Sequence, residues 1–222
     1  MRLQAVRRRI MAAADTARRT PEEIQLLAVS KGASAEALEA ALDAGQRCFG
    51  ESYLSEALDK ITVLEGRGCV WHFIGPVQSN KTRKIAEHFD WVHSIDRLKI
   101  AVRLSAQRPD RLPPLNICLE VNISGAASKA GLRPEDVPET AMVVARLPRL
   151  RLRGLMAIPT PSRDPVRQHA AFAALRRSFA SLNARGLGLD TLSMGMSDDL
   201  EAAIAEGATI VRVGTAIFGT RD

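Results

Sequence analysis

Lys31 closes a short apolar run, Leu26-Leu27-Ala28-Val29-Ser30-Lys31, and Gly32 follows it. A lysine at the end of a buried strand is expected to be partly desolvated, which disfavours the ammonium form. The free amine can then attack a carbonyl and form a Schiff base. Far along the chain, Ser193-Met194-Gly195-Met196-Ser197 and Gly214-Thr215 offer hydroxyls and unobstructed amides. Those are the groups that hold a phosphate. Arg212 precedes the second cluster and is placed to point inward. An acidic neighbour would make it an ordinary ion pair.

An amine nucleophile facing a phosphate holder suits a ligand that carries both an aldehyde and a phosphate. Pyridoxal phosphate has both. An arginine facing its pyridine nitrogen would leave that nitrogen unprotonated, a weaker electron sink than one paired with aspartate.

These residues need a frame that brings them to one place. Residues 3–18 carry Leu3, Val6, Ile10 and Ala13 at helical spacing, and Thr20-Pro21-Glu22-Glu23 reads as a turn or short helical start. Strand-like runs follow over 24–30, 48–51, 70–75, 91–95, 116–122, 152–158, 189–194 and 209–213. Helical patterns separate them, with Ser34, Ser52 and Asp96 placed to cap and Pro134 near a helix start. Ser197-Asp198-Asp199 reads as the opening of a short helix with acids in its first turn. Every strand but the last is followed by a helix. Buried strands with helical crossovers argue for a parallel sheet. Eight such units fit a single (β/α)₈ barrel over 1–222, with a doubly wound open sheet as the alternative. In such a barrel the working face lies at the C-terminal strand ends. There stand Lys31, Glu51, His72 to Gly75, Ser94, Asn122, Met156 to Pro159, Ser193 to Ser197, and Arg212 to Thr215.

Composition narrows the function. The chain has 222 residues and a net charge of +6, and its basic residues are scattered over helical segments. With aromatics at 4%, no stacking platform for nucleic acid is available. Cys48, Cys69 and Cys118 form no CxxC pair, and the four histidines show no metal-ligand spacing. No stretch approaches the roughly 18 apolar residues of a membrane span. The N-terminus lacks a signal-peptide core, so a cytoplasmic protein without a metal is expected.

The blocks also match a family. Leu27-Ala28-Val29-Ser30-Lys31, Phe49-Gly50-Glu51-Ser52-Tyr53 with Glu56-Ala57, and Trp71-His72-Phe73-Ile74-Gly75-Pro76-Val77-Gln78-Ser79-Asn80-Lys81 come first. Gly154 to Pro159, Leu192 to Asp199 and Arg212 to Gly219 complete the set. Six blocks in this order resemble the YggS/PROSC family of pyridoxal phosphate homeostasis proteins over nearly the whole chain. The resemblance implies a barrel similar to the N-terminal domain of alanine racemase, with the cofactor in a Schiff base on Lys31. It implies phosphate contacts from Ser193, Ser197, Gly214 and Thr215, and Arg212 facing the pyridine nitrogen. Met156 and His72 would lie near the ring or the site wall. Ser52 stands where the family usually has Asn, so a contact to the ring hydroxyl is weakened or passes through water.

A racemase needs a second acid or base on the opposite face of its substrate. In alanine racemase that is a tyrosine from a second domain and a second subunit. Here no second domain is expected, and the only tyrosine is Tyr53. The expectation is therefore a non-catalytic, monomeric carrier that limits free pyridoxal phosphate and delivers it to apo-enzymes. The alternative is a minimal pyridoxal-phosphate-dependent racemase using Lys129 or Lys81. A phosphosugar aldolase on this fold would want a lysine near strand 6, which has none.

Overall fold

The computed structural model describes residues 2–126 and 129–219. Its strands are β1 (Gln25–Val29), β2 (Cys48–Glu51), β3 (Val70–Phe73), β4 (Trp91–Ile95), β5 (Leu115–Glu120), β6 (Leu150–Met156), β7 (Thr191–Ser193) and β8 (Ile210–Val213). They pair in chain order as a closed barrel. The closing pair is parallel, with Gln25 beside Ile210 and Ala28 beside Val213. Closure excludes the open-sheet alternative. It also leaves no unpaired edge, and parallel neighbours need a crossover between them.

The crossovers are helices: α2 (Ala35–Asp43), α3 (Leu54–Val63), α4 (Thr82–His88), α5 (Leu98–Gln107), α6 (Val137–Val144), α7 (Pro165–Ala184) and α8 (Leu200–Ala205). α1 (Arg2–Thr16) precedes the barrel and α9 (Thr215–Phe218) follows β8. None is long and apolar enough to cross a membrane, among the described residues.

Strand alternation divides the core into two shells. Outward residues such as Ala28, Phe49, Phe73, Ile117, Leu155 and Val211 join the helix faces, Leu38, Ile85, Leu104, Phe172 and Leu200 among them. Inside the barrel Leu27, Trp91, Cys118, Met156 and Ile210 form a smaller cluster. Cys118 is buried, while Cys48 and Cys69 are only half-buried.

Several local expectations are corrected. Ser34 does cap α2, accepting from the Ala37 amide. Ser52 and Asp96 do not cap, because α3 begins after Tyr53 and α5 after Arg97. Helix α6 starts at Val137 with Pro138 in its first turn, so Pro134 lies outside it. The last strand is followed by a helix after all, the short α9. Asp199 precedes α8 without capping it; its carboxylate takes the Met196 amide at 2.6 Å. Ser52 and Asp96 each stand one residue before the observed N-cap position, an offset that spacing alone does not register.

Candidate functional site

The expected site residues gather on one continuous arc of the barrel. Met156 comes from β6, Ser193 and Ser197 from the β7 end, Arg212, Gly214 and Thr215 from β8, Lys31 from β1, Ser52 from β2 and His72 from β3. They sort into a rim and a floor. Lys31 and Thr215 are exposed, and Ser52, Ser197 and Gly214 are half-buried. Met156, His72, Ser193 and Arg212 are buried.

Lys31 lies two residues beyond the end of β1, in a turn completed by Gly32. It is exposed, not partly desolvated as expected. The strand ends before reaching it, and the turn takes the side chain clear of the apolar neighbours that would have covered it. The rim itself is tightly drawn. A Cβ on Gly75 would collide with the Ser52 backbone, so the turns after β2 and β3 touch. A Cβ on Gly214 would come within 3.1 Å of the Val29 carbonyl oxygen. Gly195 adopts φ +93°, and a Cβ there would meet Ala203 at 2.5 Å. That close approach lets the Gly195 carbonyl accept from the Arg212 amide at 2.9 Å. Arg9 of α1 braces the same loop, donating to Ser197 O at 3.0 Å and to both oxygens of Glu201.

The floor is a hydrogen-bonded chain across the barrel. Arg212 donates through Nη1 to Ser193 O at 2.6 Å and Ser193 Oγ at 2.9 Å, and through Nη2 to Ala157 O at 2.9 Å. Ser193 Oγ lies 2.7 Å from His93 Nδ1, and His93 Nε2 lies 2.9 Å from His72 Nδ1. Below them His72 stacks on Trp91 at 5.3 Å between centroids, and Arg153 sits 4.7 Å from the centre of a Trp91 ring.

One end of this chain sets the direction of every bond. A guanidinium only donates. Ser193 Oγ accepts from Arg212, so its proton goes to His93 Nδ1. His93 then carries its hydrogen on Nε2 and gives it to His72 Nδ1. His72 is left with a hydrogen on Nε2, and that atom is buried without a partner among the described residues. Both imidazoles are neutral. Burial pulls His72 down to about 3. Burial, reinforced by the neighbouring His72 ring and the charge of Arg212, holds His93 well below the usual histidine range. Nitrogen NMR of the side chains is expected to show both rings as the neutral Nε2–H tautomer at pH 7. An Nδ1–H signal from either ring would break the assignment.

Arg212 makes no ion pair among the described residues, so the acidic-neighbour reading does not apply. Burial lowers its guanidinium to about 10, against the raising effect of Asp199, Glu120 and Cys118. Burial raises Glu120 and Asp199 in turn. The floor therefore presents a fixed cation whose neutralising carboxylates stand off at a distance.

Sequence reasoning passed over His93, which shows no ligand spacing to another histidine. A signal was present. A polar residue two positions from Trp91, in a strand buried on both faces, must enter the barrel interior. Lys129, weighed as a base, donates to the Ile158 carbonyl at 3.0 Å on the rim, and partial burial lowers its ammonium. Lys81 borders a different groove, beside Leu54, Asn80 and Arg103.

Comparisons with known proteins agree with this architecture. The model of the family described as alanine racemase, N-terminal domain, matches residues 1–222. The pyridoxal phosphate homeostasis protein of Pseudomonas aeruginosa is 64% identical over 96% of this chain and 92% of its own length. That of Escherichia coli is 56% identical over 99% of this chain and 95% of its own. Among solved structures, PipY of Synechococcus elongatus with PLP bound superposes with a TM-score of 0.83 at 38% identity, covering 95% of this chain and 100% of that one. The chain thus belongs to the family of pyridoxal phosphate homeostasis proteins, built on the alanine racemase N-terminal-domain barrel.

Proposed function

We propose that this protein is a single-domain, non-catalytic carrier of pyridoxal 5'-phosphate. It holds the cofactor at the C-terminal mouth of the barrel, with Lys31 as covalent anchor in a Schiff base. The observation that carries the reading is the PLP-bound structure of PipY on the same barrel, together with an amine and an unpaired cation on adjacent strands here. When bound, pyridoxal phosphate supplies an aldehyde for an amine and a visible chromophore.

The residues present fit that group. Lys31 offers an exposed amine two residues beyond Val29, and Gly214 lies too close to Val29 for a side chain to intervene. In our reading Ser197, Gly214 and Thr215 hold the phosphate. Arg212 faces the pyridine nitrogen, and as a donor it keeps that nitrogen unprotonated. Ser193 takes a changed part. Its hydroxyl lies between Arg212 and His93 with its proton already given, which leaves it nothing to donate to a phosphate. It orients Arg212 instead. In the same reading the buried Met156 and His72 would lie close to the ring or the site wall, and the half-buried Ser52 would border it at the β2 turn.

The homeostasis names of the relatives support a carrier over an enzyme. Tyr53, the only tyrosine, precedes α3 and is 53% exposed. An open rim leaves the anchor wet, whereas enzymes exclude water around reactive intermediates. We place the carrier in the cytoplasm as a monomer that meets apo-enzymes transiently. A racemase reading rests on Lys129, whose lowered ammonium at the rim suits a base.

The test is an absorption spectrum after loading with pyridoxal phosphate, followed by incubation with L-alanine and chiral analysis. A coloured protein that leaves the alanine as L is the expected result. Scrambled alanine makes it a racemase, and a protein that takes up no colour overturns the reading.

A further inference from the structure

Lys60 is an unusual residue for the inner face of a helix. It lies on α3 one turn beyond Glu56, and its side chain is 7% exposed. Its ammonium donates to Ser30 O at 2.6 Å, Glu51 Oε1 at 2.8 Å and Glu56 Oε1 at 2.5 Å. Three acceptors match its three hydrogens. The acceptors are themselves shared. Glu51 Oε1 also takes the Ser30 hydroxyl at 2.6 Å, and Glu56 Oε1 takes the Gly32 amide at 2.5 Å. The Ser30 amide donates to Gly50 O at 2.9 Å. The residues immediately before and after Lys31 are therefore both gripped by one ion cluster, while the Lys31 side chain stays exposed.

Stability does not account for this arrangement. A buried ion pair gains little over apolar residues of similar volume, because both charges must be taken out of water. This cluster holds two carboxylates for one ammonium. Burial raises Glu51, and its second oxygen has no partner among the described residues. Leaving such an atom unsatisfied costs free energy that uncharged residues at both positions 51 and 60 would lessen. What the cluster provides is a fixed peptide on both sides of Lys31.

We propose that Glu51, Glu56 and Lys60 are positioning residues, forming a clamp that presents the Lys31 amine to an incoming aldehyde. The inference rests on Lys31 being the anchor. The condensation it serves forms one C=N bond, releases one water and involves no oxidant. The clamp acts by holding the nucleophile's backbone in place before the aldehyde arrives, so its effect falls on the rate of capture.

Glu56 is the variant of choice, since its side chain is 31% exposed and its loss leaves no deeply buried cavity. In the cofactor-free protein, hydrogen exchange is expected to show the Gly32 amide protected in the wild type and unprotected in Glu56→Ala. Stopped-flow capture of pyridoxal phosphate is expected to slow by about tenfold or more in Glu56→Ala, the scale on which misplacing a reacting group lowers its rate. Glu56→Gln, whose amide oxygen can still accept from Gly32, should recover most of that rate. The Lys60→Met/Glu51→Gln double variant removes the buried charges together and should fold, yet capture as slowly as Glu56→Ala. Equal capture rates in all four proteins overturn the clamp, as does a Gly32 amide that exchanges freely in the wild type. A wild type that captures no pyridoxal phosphate overturns the anchor instead, and the exchange measurement still decides whether the clamp exists.

Discussion

Lys31→Ala is expected to abolish the visible band that the wild-type protein gains with pyridoxal phosphate, with almost no change in stability. Lys31 is exposed and lies beyond the end of β1. Surface changes of that kind stay within about 0.5 kcal/mol. The chromophore depends on the amine itself. Lys31→Arg keeps the positive charge but offers no amine that condenses with an aldehyde, so it should be as colourless as Lys31→Ala. The proposed phosphate contacts from Ser197, Gly214 and Thr215 would survive both substitutions. Weak, colourless binding is thus the expected remainder, measurable by calorimetry. Borohydride reduction of the loaded wild type, followed by peptide mass mapping, should place the label on the peptide containing Lys31. A band that persists in Lys31→Ala would move the anchor elsewhere, and Lys129 on the rim would be the first residue to examine.

The second large effect is acid sensitivity. Burial brings His72 from 6.5 to about 3, and His93 also titrates well below the usual range. Unfolding returns both rings to water, where they take up protons near 6.5. A group depressed in the fold stabilises it fully above the unfolded value, and that contribution is lost as pH falls toward the folded value. For His72 the difference is at most about 5 kcal/mol between pH 6.5 and 3. That is a large share of the 5–15 kcal/mol typical of a domain. The buried carboxylates Glu51, Glu120 and Asp199 are raised, so their contribution is present in acid and lost as pH rises. They cannot cause a fall on acidification. Denaturant titrations at pH 7, 5 and 4 should therefore show stability dropping steeply for the wild type and less for His72→Phe, which keeps the ring stacked on Trp91. Parallel curves for the two proteins would remove His72 as the cause.

Much of this architecture could be read from hydrophobic periodicity. Leu26 to Val29 is apolar enough to be buried on both faces, and Leu38, Ala41 and Leu42 mark a helix stripe. These signals are local, because burial of a strand or helix face is decided by residues a few positions apart. The rim was legible for the same reason. In a parallel barrel each strand end is a place, and Lys31, Ser197, Gly214 and Thr215 sit at or just beyond theirs.

What the sequence alone determined, then, was the order of elements, the place of Lys31 just beyond a strand end and the family of blocks around it. The tertiary structure decided how polar groups are shared inside the barrel. His93 and Ser193 are 100 residues apart, Arg212 and Ala157 are 55 apart, and Lys60 and Ser30 are 30 apart. Closing the barrel brings each pair within hydrogen-bond distance. It also set the Ser193 hydroxyl between Arg212 and His93 and left Lys31 in the open. A buried donor or acceptor must find a partner or carry a free-energy penalty, and which partner it finds depends on strand register and barrel closure. Neither is encoded in the spacing of residues along one strand.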